Sequence, residues 1–170
     1  MKKTLEVING LKKEEIIKDY AIGEAVATLK WVEPFFTRDL DILVIPLQAA
    51  GEEKVISFLP IYEALKAKGY NQWTGQWLMI EGVPVEFLPA EGLSKEAVDK
   101  AVEPEFEGVG TKVITPEYLI ALFLKALREK DRIKIRLLLE QAKIEREKLK
   151  GLLTRHGLEE QFKNHFGDQK

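Results

Sequence analysis

Two aspartates one residue apart, Asp39 and Asp41, stand at the mouth of the apolar run Ile42-Leu43-Val44-Ile45. An extended strand alternates its faces, so the two carboxylates point the same way, with Leu43 and Ile45 following on that face. Leu40, Ile42 and Val44 fill the other face. A stretch that turns apolar on both sides reads as a central strand covered by layers above and below. Side by side, two carboxylates repel each other and stay ionised cheaply only with something cationic between them. That partner is either a metal ion or water and a neighbouring lysine.

The rest of the chain supplies the covering layers. Leu11–Tyr20 reads as a short helix with acids early and Ile16 and Ile17 facing inward. A second helix starts near Gly23 and must end before Pro34, because the residue preceding a proline is pushed out of helical geometry. Glu52–Tyr70 reads as a helical region closed by Gly69, with a break or kink at Pro60. Gln76–Ala90 holds two apolar runs separated by Glu81-Gly82, the pattern of a β-hairpin. Ser94 is read as the cap of a short helix, and Glu105–Thr115 supplies one more strand. Thr115, Pro116 and Glu117 make a strong helix start. From Asp131 to about Lys150, and again from Thr154, the pattern is helical. Strands and helices mix first and helices alone come last. The expected class is therefore α/β (α+β), with a mixed-sheet domain over residues 1–114 and a helical C-terminal part over 115–170 packed on it.

Composition removes several chemistries. The 170 residues contain no cysteine, which excludes disulfides and thiolate metal sites. Only two histidines occur, His156 and His165, both late in the chain, so a zinc centre built on imidazoles is not expected. The first residues lack the apolar core of a signal peptide and no stretch has the length of a membrane span, which makes the cytoplasm the plain reading. A net charge of −2 leaves nucleic-acid binding to a local basic surface at most.

Asp39 and Asp41 lie about 6.5–7 Å apart along a strand, a spacing that lets both side chains reach one Mg²⁺ or straddle a two-metal site, although the motif alone more often marks a solvated strand end. Glu86 adds weight. In Val83–Pro89 it shares a face with Pro84 and Leu88 inside an otherwise apolar strand, and an unpaired buried carboxylate costs several kcal/mol. It therefore faces a cation, pairs with a base, or sits at an exposed edge. Two acids on one strand and a third on a neighbour would make a three-carboxylate metal site.

Tyr20–Val44, with Thr37-Arg38-Asp39-Leu40-Asp41 as its most specific block, resembles the opening of nucleotidyltransferases in the DNA polymerase β superfamily. The strand Val83–Ala90 and the helix Thr115–Asp131 follow in that family's order. Most similar is the small prokaryotic branch that includes abortive-infection-type toxin nucleotidyltransferases. The resemblance implies transfer of a nucleotidyl group from a nucleoside triphosphate to an acceptor (RNA, protein or small molecule), dependent on Mg²⁺ or Mn²⁺. Asp39, Asp41 and Glu86 would be the catalytic and metal-binding acids, Glu86 standing where the activator of the attacking hydroxyl is expected. Gly23, Glu24, Arg38, Lys125 and Arg128 would form the nucleotide-binding set. An antitoxin is the partner this branch implies.

Two positions depart from the pattern. Glu24 stands where a second Gly or a Ser helps to hold phosphate, and a carboxylate there competes with one. Lys134 stands where the family often carries an acid. The alternative is therefore an inactive module of the same fold that binds a partner protein or RNA. Plainer readings also exist for the bases: Lys125 and Arg128 fall opposite the apolar side of a helical wheel, and Lys148, Lys150, Arg155 and His156 read as an RNA-contact patch or an ordinary charged helix surface. Trp31, Trp73 and Trp77 serve base stacking or packing.

Overall fold

A computed structural model of the chain describes residues 1–47 and 57–167. Helix α1 (Lys2–Lys13) leads into strand β1 (Ile17–Ile22), the short helix α2 (Glu24–Thr28) and strand β2 (Leu40–Pro46). Helix α3 (Leu59–Ala67) follows, then β3 (Trp73–Thr74), β4 (Trp77–Ile80), β5 (Val83–Pro89) and α4 (Leu93–Asp99). A small ladder, β6 (Glu105–Phe106) with β7 (Val109–Gly110), precedes helices α5 (Pro116–Ala126), α6 (Glu129–Gln141), α7 (Arg146–Arg155) and α8 (Glu159–Phe166).

Five strands form one mixed sheet in the order β1-β2-β5-β4-β3. Its centre is the parallel pair β2–β5; the other pairings are antiparallel. As the two-sided apolar pattern of β2 requires, Leu40, Ile42 and Val44 are fully buried, and Leu43 and Ile45 nearly so. The β4–β5 connection is the anticipated two-residue hairpin: Ile80 pairs with Val83, and both Glu81 and Gly82 take positive φ. That geometry matches the right-handed twist of the flanking strands.

Several expectations need correction. The segment Ile17–Ile22 is a strand, and the helix lies before it. Leu5, Ile8 and Leu11 of α1 are buried at helical spacing, and Glu15, at positive φ, turns the chain into β1. Antiparallel pairing with β2 holds Tyr20, Ala21 and Ile22 extended, a tertiary constraint that outweighs their neutral local preference. The helix after Gly23 is present but stops at Thr28, well before Pro34. Ser94 lies inside α4, whose N-cap is Gly92; its hydroxyl exchanges hydrogen bonds with the backbone of Glu91. Glu105–Thr115 forms a two-stranded ladder and an isolated bridge of Val113 to Ile22 in place of one strand. The C-terminal helical pattern is broken around residues 142–145 and again at 156–158. Pro60 sits in the first turn of α3, where its missing N–H costs nothing, and so starts that helix without kinking it. The part of the expected helical region over residues 52–56 lies outside the described residues.

If β2 is the spine of the core, Ile42→Ala should cost about 2–5 kcal/mol, the range for truncating a fully buried Ile. Ile133→Ala, at an exposed position of α6, should cost no more than about 0.5 kcal/mol. Urea unfolding of both variants, read at constant slope, checks the contrast.

Candidate metal and anion site

The parallel register of β2 and β5 aligns Asp41 with Glu86. Because directly paired residues share a face of the sheet, the two carboxylates converge, and Asp39, one pleat before β2, joins them. Oxygens of Asp39, Asp41 and Glu86 all lie within 4.8 Å of one another. Asp41 is buried, while Asp39 and Glu86 are half-buried. Gln76 donates to Glu86 Oε2 at 3.1 Å. Gly23 sits directly beneath. Its N–H donates to the carbonyl of Asp41 at 2.9 Å, and a Cβ at Gly23 would lie 3.3 Å from Leu43. Gly23 therefore lets the β1–α2 turn press against β2. Its N–H is committed to the strand rather than presented to a ligand.

The electrostatics follow from this crowding. Burial, and then the charges of Asp39, Glu24 and Glu86, push the Asp41 carboxyl up to about 7, and Lys134 pulls in the opposite direction. Three oxygen donors within 4.8 Å of one another, one of them held protonated toward neutrality by burial and by its neighbours' negative charge, suit a hard divalent cation.

The nearest basic groups come from the helical part. Leu127, in the left-handed conformation, ends α5, and Arg128 becomes the N-cap of α6. Asp131 reaches back: its Oδ2 accepts from the Arg128 backbone N–H at 3.1 Å and from Arg128 Nε at 2.6 Å. Arg128 Nη2 in turn donates to both carboxylate oxygens of Glu24, at 3.2 and 3.1 Å. Lys134 Nζ lies 3.4 Å from Glu24 Oε2 and 3.6 Å from Asp131 Oδ1, over the ring of Phe123. Glu24 thus turns toward two full positive charges, which outweigh the partial charge of a five-residue helix end.

The expected nucleotide-binding set is only partly assembled. Arg128 and Glu24 are joined, and Arg38 stands over Phe36 in a groove shared by Phe35, Asp39, Lys130 and Ile133. Lys125 is exposed at the last turn of α5 and takes part in none of the described contacts of the acids. Arg128, expected in the nucleotide-binding set with a solvated helix face as the plainer reading, stays exposed while its guanidinium reaches Glu24 and Asp131. Sequence reasoning missed Asp131 and Lys134 as members of this network, because the pattern carried one helix through Arg128 and only the break at Leu127 lets Asp131 cap a new one. The basic run near the C-terminus is largely paired. Lys148 bridges to Glu117, and Arg155 and His156 both reach Glu96. His156 first, with Tyr118 and Arg155, holds Glu96 down at about 2 despite partial burial. Trp31 packs, donating its indole N–H to the carbonyl of Ile114, and Trp73 keeps an exposed face.

Two solved structures share this architecture. One is an antigenic nucleotidyltransferase-like protein from Paracoccidioides brasiliensis, at 15% identity and a TM-score of 0.53, covering 96% of this chain and 92% of that one. The other is the antibiotic-resistance factor ANT(2'')-Ia, at 17% identity and a TM-score of 0.50, covering 95% and 96% of the two chains. The fold is that of nucleotidyltransferase-like proteins. No protein-family model matches the chain, and no curated protein does.

A carboxyl raised toward neutrality makes a signed prediction. With metal chelated, folded Asp41 keeps its proton up to about pH 7, whereas the unfolded chain loses it near pH 4. Stability should therefore fall as pH rises from about 4 to 7, with a slope of at most roughly 1.4 kcal/mol per unit. Asp41→Asn should flatten that part of the profile, and so should a divalent cation. Chemical denaturation across this range, with chelator and with Mg²⁺, tests both; a native chain showing no fall would mean that Asp41 stays ionised.

Proposed function

We propose that the protein is a divalent-metal-dependent nucleotidyltransferase, and the observation that carries this reading is the convergence of Asp39, Asp41 and Glu86. In this reading Asp39 and Asp41 hold Mg²⁺ or Mn²⁺, with Glu86 as the third oxygen donor. A cation bound there would neutralise phosphate charge and polarise the phosphoryl oxygens. The chain's own part is to orient and to move a proton. The acceptor oxygen bonds to the α-phosphorus of a nucleoside triphosphate, the bond to the β-phosphate breaks, and pyrophosphate leaves. Glu86, oriented by Gln76, takes the proton of the acceptor hydroxyl. Arg38, at the rim of the adjoining groove beside Asp39, is within the same cleft as Lys130 and Lys134 and supplies positive charge for an anionic substrate.

The block Thr37-Arg38-Asp39-Leu40-Asp41 supports the finer reading of an abortive-infection-type toxin nucleotidyltransferase with an antitoxin partner and an acceptor that is RNA, protein or a small molecule. Among the described residues no helix is long and apolar enough to cross a membrane. One observation favours the second reading, an inactive module that binds a protein or RNA: Glu24 already engages Arg128 and Lys134.

The first reading predicts that millimolar Mg²⁺ or Mn²⁺ raises the melting temperature of the native chain at neutral pH, with a smaller effect near pH 4, where Asp41 is protonated. Asp39→Ala/Asp41→Ala should lose that response. It should also lose transfer of label from α-³²P nucleoside triphosphates to total RNA or protein. A native chain with no metal response and no transfer in the presence of triphosphate would leave the inactive module as the reading.

A further inference from the structure

Arg128 and Lys134 bring two positive charges to one point, and two carboxylates balance them. The two carboxylates are not equivalent. Asp131 is fully buried and caps α6, so it cannot leave without undoing the helix start. The backbone carbonyl of Glu24 accepts from Thr28 Oγ1 at 2.9 Å, but its carboxylate is tied through ion pairs to Arg128 and Lys134 and the side chain keeps 28% of its surface exposed. Its backbone φ of 45° is in the left-handed region that L-residues other than glycine adopt at a cost. Lys134 is nearly buried, and Arg128 is held in orientation by Asp131 through Nε and Nη2. Swinging Glu24 away would leave a net positive, preoriented pair of donors beside the Asp39–Asp41–Glu86 acids, the arrangement that takes up an anion.

We infer that Glu24 is the internal occupant of an anion site made by Arg128 and Lys134, and that a polyphosphate ligand enters only by displacing it. Glu24 is then a specificity-determining residue. A ligand with one phosphate exchanges one anion for another and gains little. A chain of phosphates offers several anionic groups to the same cations and can outcompete the carboxylate. The choice of polyphosphate rests on the nucleotidyl transfer proposed above; the displacement itself does not, so its test omits metal.

The experiment is calorimetric titration of the full chain, in chelator, with inorganic tripolyphosphate and separately with inorganic phosphate. Glu24→Gln keeps the shape and removes the charge, and Glu24→Ser serves as a second variant. Matched circular dichroism spectra report folding. Both variants should bind tripolyphosphate at least tenfold more tightly than the native chain, with a smaller gain for phosphate. Adding Lys134→Met to Glu24→Gln should erase the gain. Unchanged or weaker binding in both Glu24 variants overturns the inference, as does the absence of anion binding in every form. A gain that survives Lys134→Met marks an adventitious ion only and overturns it too. Because metal is absent throughout, loss of the metal response predicted above and failure of this displacement are read separately.

Discussion

The parallel pairing of β2 with β5 places one carboxylate beside another in the middle of a sheet. Neighbouring strands lie about 4.8 Å apart, and the aligned Asp41 and Glu86 therefore cannot avoid each other's charge. Asp39 adds a third. A core that buries Leu40, Ile42 and Val44 on one face accommodates this cluster on the other only by withholding a proton loss at Asp41 or by bringing in positive charge. Much of the surrounding arrangement is organised around that need: the glycine that lets the α2 turn approach β2, Gln76 donating to Glu86, and the bases that arrive from the helical part.

Those bases reach the site because the C-terminal helices change direction. A continuous helix through Leu127 would carry Arg128 outward. The left-handed residue there restarts the helix, and the buried Asp131 fixes the guanidinium toward Glu24. Other acids fasten the helical part elsewhere, Glu96 gathering Tyr118, Arg155 and His156 and Glu117 taking Lys148. The Glu96 pairs are partly exposed, and pairs of that kind contribute little stability each, whereas Glu117 is buried and needs its partner more. Their effect is to set where the helices sit, which in turn decides whether the acid cluster has cations in reach.

Identities of 15% and 17% to two solved structures mean that what is shared is the fold. A fold hosts many activities, and chemistry belongs to particular side chains. In the proposed reading the acids serve metal-assisted phosphoryl chemistry, while Glu24 resists anionic ligands. The two are compatible when the resisting carboxylate is tied by ion pairs that an anion can replace and sits at a strained backbone position.

The sequence by itself determined the central strand, the hairpin at Glu81-Gly82, the start of α5 and the shared face of Asp39 and Asp41. Each of these follows from local rules: two-fold alternation, the positive φ that Glu-Gly accepts at a turn, and a Thr-Pro-Glu helix start. Strand parity also singled out Glu86 as an acid in need of a partner, but its meeting with Asp41 depended on a register between residues 45 positions apart in sequence, which no local pattern encodes. The strand Ile17–Ile22 was hidden for the same reason, since only pairing with β2 holds it extended. Glu24 could be recognised from sequence as a misfit beside a phosphate, yet where its carboxylate points was decided by Arg128 and Lys134, more than a hundred residues away. Charge attraction acts through space, and only the packed chain brings those three groups within 3.5 Å.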